Sequence, residues 1–239
     1  DLTHVAGTMR SFAALASTSS CSRSRLPAFA LAMVGVGLAA PAAMSTVPLT
    51  VGISLVLSTF FIVAAVILAL IVMVMSVRPM LEHGVNIEAA PTLMVVIPLM
   101  TVIGIALLRK NHGLHTAFGA HGTDADTLML LTRLISIEVI FALFGLAVLS
   151  RVGYISRFVT GAETSAGSYA LVCPGVALSV MTHFWLNKGL VAVGIVAKYS
   201  VAYWAISGIA VALQVAMIVL VWMLARKHFA PMAKTAVPA

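Results

Sequence analysis

Charged residues are scarce in this chain of 239 residues. Only 9% of the residues are Asp, Glu, Lys or Arg, while 62% are hydrophobic and the mean hydropathy is +1.12. Soluble globular domains carry about 25% charged residues, so this composition excludes a soluble globular protein. The chain is predicted to be a polytopic membrane protein.

Cysteines and catalytic motifs are also lacking. The two cysteines, Cys21 and Cys173, form neither a metal-ligand spacing nor a disulfide framework. The sequence contains no nucleophile elbow, phosphate-binding loop, His-Glu-x-x-His motif or paired-carboxylate spacing. We therefore expect neither enzymatic activity nor a bound cofactor.

Acidic residues are few, with 7 Asp and Glu against 14 Lys and Arg, which gives a formal net charge of +7. In a soluble chain such an excess would suggest binding to nucleic acid. Here the basic residues lie between apolar runs, where they orient a protein in a membrane. The predicted partner is the lipid bilayer, and nucleic acid is not expected.

The sequence does have six apolar runs of roughly 18 residues or more, which is the length that a membrane-spanning helix needs. The predicted spans, named A to F, are Leu26–Met44, Leu49–Val77, Ala90–Leu108, Leu128–Leu149, Ser168–Leu186 and Val201–Leu224. They predict an all-α transmembrane bundle over residues 26–224, preceded by a segment 1–25 and followed by a cytoplasmic tail 225–239. Because residue 1 is not Met, the chain is expected to begin within a longer protein.

The basic residues outside the spans predict the topology. The side that includes both termini holds nine of them: Arg10, Arg23, Arg25, Arg78, Arg151, Arg157, Arg226, Lys227 and Lys234. The opposite side holds four: Arg109, Lys110, Lys188 and Lys198. By the positive-inside rule, both termini are predicted to lie in the cytoplasm and the protein in the cell (inner) membrane.

Glu138 is the most costly residue in the predicted spans, because it lies near the middle of span D. A carboxylate at the centre of a membrane helix costs roughly 3 kcal/mol on insertion scales and is a functional-site hypothesis by default. Arg133 lies about 140° around the helix from Glu138 by the helical repeat, so the two are poor partners. Arg133 is predicted to reach the interface or an anion path. For Glu138, a structural hydrogen bond and a role in transport both remain open.

Span E carries a small and polar stripe along an otherwise apolar helix. Gly175, Ser179, His183 and Asn187 follow each other at four-residue spacing and fall on one face. Pro174 lacks an amide hydrogen and is predicted to kink the helix. The stripe predicts either a pore-lining surface or an ordinary helix–helix contact, since small residues and Ser or Thr serve both.

Other spans carry small or polar positions too. These are Gly35, Ala39 and Ala43 in span A, Ser54 and Ser58 in span B, and Ser207 and Gln214 in span F. Each is most simply a helix-packing device. Together they favour a bundle around a path.

Histidines between spans C and D suggest a weak alternative. His112, His115 and His121 could bind a divalent metal, but no pair has a fixed helical spacing, so solvated loop histidines are the simpler interpretation. Thr123 and Asp126 are typical of a helix N-cap and its first-turn acid. His183 is the one histidine inside a predicted span, which gives thin support to a haem-carrying membrane anchor.

The stretches "SYALVCPGVALSVMTHFWLNKGL" and "KYSVAYWAISGIAVALQ" resemble the last two helices of the tellurite-resistance/dicarboxylate transporter family, which includes the plant slow-anion channels. The resemblance is most specific from Gly167 to Gln214. It implies a ten-helix fold of five hairpins around a pore, with spans A to F as the last six helices. The Tyr169 to Pro174 pattern recurs, but Cys173 stands where family members often have a pore-plugging phenylalanine.

The predicted function is transport of small anions or dicarboxylate-like organic anions by a channel or carrier. The predicted path residues are Cys173, Pro174, Gly175, Ser179, His183, Glu138, Arg133 and Gln214. Two alternatives remain open: an anchor subunit of a redox complex, with haem as its possible cofactor, and a scaffold that transports nothing. A homo-oligomer is a further possibility.

Overall fold

The computed structural model describes residues 26–83, 87–161 and 163–229, and in these ranges the chain is helical without strands. Seven α-helices follow one another: α1 Leu26–Leu38, α2 Ala40–Met44, α3 Pro48–His83, α4 Val96–Phe118, α5 Asp124–Arg151, α6 Val172–Phe184 and α7 Val201–His228. The segments between these helices contain 3₁₀ helices at Ile87–Val95 and Ala166–Leu171, and π-helical turns at Ile155–Val159 and Trp185–Leu190. The predicted all-α class is confirmed.

Six segments of the described chain are long and apolar enough to cross a membrane. They are Pro27–Met44, Pro48–Met75, Leu93–Phe118, Asp124–Arg151, Gly167–Leu190 and Val201–His228. Each overlaps one predicted span. The fold is therefore that of a multi-pass membrane protein with six helical spans.

Several element bounds differ from the prediction. Span C was predicted to end at Leu108, but α4 runs ten residues further, to Phe118, and ends on Gly119, whose φ of 62° is the left-handed conformation of a glycine cap. At the other end, α7 continues to His228, so the first residues of the predicted tail 225–239 belong to this helix. Residues 1–25 and 230–239 lie outside the described chain.

The first two spans form a close hairpin through small residues. A Cβ at Gly35 would lie 2.9 Å from the Ile62 side chain of α3, so the missing side chain lets the helices approach. The Ser58 hydroxyl donates to the Gly35 carbonyl at 2.8 Å, and the Ser54 hydroxyl donates to the Leu38 carbonyl. The predicted packing role of these small and polar positions is confirmed.

The helix α4 is the centre of the bundle. It packs against α1, α2 and α3 on one side and against α5 and α6 on the other, and it is the most deeply buried of the six spans. By contrast, α7 packs mainly on α6, and most of its large apolar side chains, such as Ile218 and Trp222, are exposed. Such exposed apolar faces suit contact with a lipid bilayer.

Candidate functional site

Glu138 is completely buried, at 0% exposure, in the contact between α5 and α4. Its carboxyl oxygen Oε1 accepts a hydrogen bond of 2.7 Å from the hydroxyl of Thr101, which lies on α4. The other carboxyl oxygen, Oε2, is the one buried side-chain polar atom without a hydrogen-bond partner in the described chain. Buried polar atoms are normally paired, so this oxygen marks a site that its protein surroundings leave incomplete.

Apolar side chains pack along α5 on either side of Glu138. One turn away on α5 are Leu134 and Ala142. Leu134 belongs to the same apolar cluster as Met181 of α6, and Ala142 packs against the cluster that contains Ala177 of α6. Gly104 on α4 sits so close to Leu134 and Met181 that a Cβ there would lie 2.9 Å and 2.8 Å from them. The turns of α5 before and after Glu138 are therefore packed against apolar side chains.

A second polar region lies on α4 nearer its C-terminal end, where the first span is broken. The chain passes from α1 to α2 at Ala39, and Pro41 in the first turn of α2 has no amide hydrogen to donate. Arg109 Nη1 donates to the Val36 carbonyl at 2.9 Å. A guanidinium thus satisfies a backbone acceptor that the broken helix leaves open.

Lys110 is buried beside this break, at 8% exposure. Its Nζ donates to the Thr59 hydroxyl of α3 at 3.3 Å. The ion pair that the described residues form is Arg157–Glu163, on the surface, and no described carboxylate lies within 4.0 Å of Lys110. We call Arg109 and Lys110, with the α1–α2 break that they face, the cationic site.

The predicted stripe on span E lies against α7. The Ser179 hydroxyl, at 0% exposure, donates to the Ala210 carbonyl at 2.7 Å, and Tyr203 donates to Asn187 Oδ1 at 3.2 Å. A Cβ at Gly175 would collide with the Met217 side chain. Of the two interpretations left open by the sequence, these contacts favour a helix–helix contact over a water-filled surface.

Pro174 was predicted to kink span E, and the helix type changes just before it. It lies in the first turn of α6, directly after the 3₁₀ helix Ala166–Leu171, so the change from 3₁₀ to α geometry occurs where the proline ring would clash with the preceding turn. Cys173 beside it is exposed. The predicted interruption of span E is in the right place, but it is a change of helix type.

The remaining predicted path residues are dispersed. His183 uses Nδ1–H to donate to the Ser179 carbonyl of its own helix at 3.0 Å. Arg133 is exposed, and Gln214 is half-buried on α7. The structure brings none of these three into contact with Glu138 through a described hydrogen bond.

The three histidines of the weak metal hypothesis do not form a site. His112 and His115 lie on α4, which was predicted to have ended before them, while His121 lies in the following loop. Among the described residues, no group of three His, Cys, Asp or Glu side chains could hold a metal ion. Next to this loop, the predicted cap is confirmed, because Thr123 and Asp126 form a reciprocal capping box.

Sequence reasoning missed Thr101 as the partner of Glu138 and assigned Arg109 and Lys110 to a loop. The signal that could have placed these two cations was Gly119, since a glycine cap typically follows a helix and no proline separates it from Leu108; Gly113, which lies between them, weakened that signal. Thr101 gave no such signal, because it lies 37 residues from Glu138.

No protein-family model, no curated protein and no solved structure matches the chain. The resemblance to the tellurite-resistance/dicarboxylate transporter family therefore stays a prediction.

Proposed function

We propose that this protein moves small inorganic or organic anions across the cell membrane, as a channel or carrier that forms the last six helices of a ten-helix fold. The observation that carries this proposal is Lys110, a basic side chain buried in a candidate membrane span with the Thr59 hydroxyl as its hydrogen-bond partner and no described carboxylate within 4.0 Å. Ionisable residues inside membrane spans are costly and are typically found on substrate or ion pathways.

The charge balance of this region favours an anion. In its protonated form Lys110 attracts a negative charge, because no described carboxylate neutralises it, and an anion that binds there stabilises that form. Arg109 adds a second cation one residue away, and its hydrogen bond to the Val36 carbonyl neutralises no charge. A cation as cargo would meet repulsion here, while a carboxylate or halide would be attracted.

The broken backbone at the cationic site supports the proposal as well. Broken membrane helices are tolerated where the freed backbone groups are buried in protein or line a cavity. In this chain the break between α1 and α2 is met by Arg109 and by the hydroxyls of Ser54 and Ser58. These contacts support a polar region between α1, α3 and α4, away from the predicted stripe on α6.

The proposed orientation keeps both termini in the cytoplasm. When the basic residues inside the six candidate spans are left out on both sides, six remain on the side of the termini and one, Lys198, on the opposite side. The six are Arg10, Arg23, Arg25, Arg78, Arg157 and Lys234. The positive-inside argument then rests on a larger asymmetry. The exposed apolar faces of α3 and α7 suit contact with the bilayer or with a second copy.

The redox-anchor alternative gains no support from the placement of the histidines within the candidate spans. His183 is hydrogen-bonded to its own helix, and His112 and His115 are exposed at the end of α4. Transport is therefore the one function that we carry forward.

The proposal is tested by anion flux into proteoliposomes that contain the purified protein, with chloride, nitrate and malate as probes. Lys110→Met removes the buried basic group and keeps the length of the side chain. It is expected to lower flux about tenfold or more, since a loss of about 1.4 kcal/mol of transition-state stabilisation corresponds to a factor of ten. Lys110→Arg should retain part of the flux.

Lys188→Met is the matched control, because Lys188 is exposed and its charge is free to contact water. This variant should transport like the unmodified protein. Flux of none of the three anions in the unmodified protein, or equal flux in Lys110→Met, would contradict the proposal.

A further inference from the structure

If Glu138 were ionised, the contact between Glu138 and α4 would have one hydrogen for two hydrogen bonds. The Thr101 hydroxyl lies 2.7 Å from Glu138 Oε1 and also 3.2 Å from the Ile97 carbonyl oxygen, and both distances are within hydrogen-bond range. A hydroxyl has one hydrogen, so it cannot donate fully to two acceptors. One more hydrogen is needed to complete both contacts.

We propose that Glu138 and Thr101 form a buried proton-binding site that couples the movement of the anion to a proton gradient. A proton on the carboxyl group completes the chain of hydrogen bonds, because Glu138 then donates to the Thr101 hydroxyl and Thr101 donates to the Ile97 carbonyl. The coupling part of this inference rests on the proposed anion transport, whereas the binding of the proton does not.

The unpartnered oxygen gives the second, independent observation. Glu138 Oε2 has no hydrogen-bond partner in the described chain and the whole side chain is 0% exposed. An ionised carboxylate would carry about half of its charge on this bare oxygen, shielded from water, which is the arrangement that burial penalises most. Protonation removes that charge and leaves a neutral acceptor.

No described cation replaces the proton. The described ionisable side chains on the elements that pack near Glu138 are each exposed or bound elsewhere. The basic ones are Arg109, Lys110, His112, His115, Arg133, Arg151, Arg157, His183 and Lys188, and the acidic ones besides Glu138 are Asp124 and Asp126 at the start of α5 and Glu163, which pairs with Arg157. A metal cation is also disfavoured, since a hard cation needs several oxygen ligands and no group of three His, Cys, Asp or Glu side chains among the described residues could hold one.

The site lies on the same helix as the cationic site. Thr101 and Lys110 are nine residues apart on α4, which corresponds to roughly 13 Å along the helix axis. A shift of α4 would thus act on both sites together. Proton binding at Glu138 and anion binding at Lys110 can be linked through this single helix if each favours the same position of α4.

Infrared difference spectroscopy of the purified, unmodified protein against Glu138→Gln tests the proton-binding part without any transport. At neutral pH, the spectrum should contain the C=O stretching band of a protonated carboxylic acid, and this band should shift in heavy water. Thr101→Val should move the band, because it removes the hydrogen-bond partner. Ser136→Ala, at an exposed position of α5, the helix that carries Glu138, should leave the band unchanged.

A second measurement covers the case in which Glu138→Gln does not fold. The chain has four glutamates, Glu82, Glu88, Glu138 and Glu163, so solid-state NMR of the unmodified protein with labelled glutamate resolves few carboxyl signals. One signal is expected at the position of a protonated acid at neutral pH. The inference would be overturned if the infrared difference spectrum contained only bands of ionised carboxylate, or if all glutamate carboxyl signals in the NMR spectrum lay at the position of the ionised form.

The coupling is tested with an inward proton gradient across the proteoliposomes. Anion uptake should rise with the gradient in the unmodified protein and should lose this response in Glu138→Gln. If anion uptake by the unmodified protein does not change with the proton gradient, the coupling is wrong. Absence of any uptake would refute the proposed function as well, while the infrared band still decides whether Glu138 binds a proton.

Discussion

Replacing Gly113 by alanine tests the contact that holds the cationic site together. Gly113 lies one turn after Arg109 on α4 and packs directly on the backbone of α2. A Cβ at this position would collide with the Ala42 carbonyl oxygen, and it would lie 2.9 Å from the carbonyl carbon and 3.2 Å from the Ala42 Cβ. The obstacle is backbone, so a side-chain rotation cannot relieve it.

The magnitude follows from these distances. Carbon atoms in contact prefer a separation of about 3.5–4.0 Å, so α4 and α2 must move apart by roughly 0.6–1.1 Å. Overpacking of this kind costs about 1–3 kcal/mol. The same movement stretches the 2.9 Å bond between Arg109 and the Val36 carbonyl, and a hydrogen bond to a charged group is worth about 1.5–3 kcal/mol.

The assay is thermal unfolding of the purified protein in detergent, followed by the fraction that stays monodisperse after heating. Gly113→Ala should unfold at a clearly lower temperature than the unmodified protein and should lose anion flux. Gly208→Ala is the matched control on α7, because a Cβ there meets nothing within 4 Å. If Gly113→Ala and Gly208→Ala both unfold at the same temperature as the unmodified protein, the inferred close approach of α4 and α2 is wrong.

Two further predictions concern the contact between α6 and α7. Ser179→Ala removes the hydrogen bond to the Ala210 carbonyl. It should lower the free energy of unfolding by about 0.6 kcal/mol, the average for interhelical hydrogen bonds in membranes, and by no more than about 1.7 kcal/mol, their maximum. Denaturation in mixed detergent measures this free energy, and a larger loss would contradict a simple packing role. In protein without Cys21, the exposed Cys173 should react with a maleimide in detergent. Ser179→Cys with Cys173→Ser should stay unreactive until the protein is denatured, and rapid labelling of folded protein would restore the pore interpretation of the stripe.

The sequence by itself determined the fold class and the number of spans. A membrane-spanning helix satisfies its own backbone and needs about 20 apolar residues, so its signal is local and can be counted along the chain. The cap at Thr123 was predictable for the same reason, since its partner Asp126 is three residues away. The burial of Glu138 also followed from its place near the middle of a span.

The tertiary structure decided which polar groups meet. Small residues and hydroxyls occur on nearly every span, and the hydrophobic pattern does not tell which helix faces which, because lipid and protein interior are both apolar. Thr101 therefore became the partner of Glu138, and α7 came to cover Ser179, only through packing. The burial of Lys110 depended on where α4 ends. Because α4 continues to Phe118, Lys110 is buried and contacts α3, whereas in a loop it would be exposed to water.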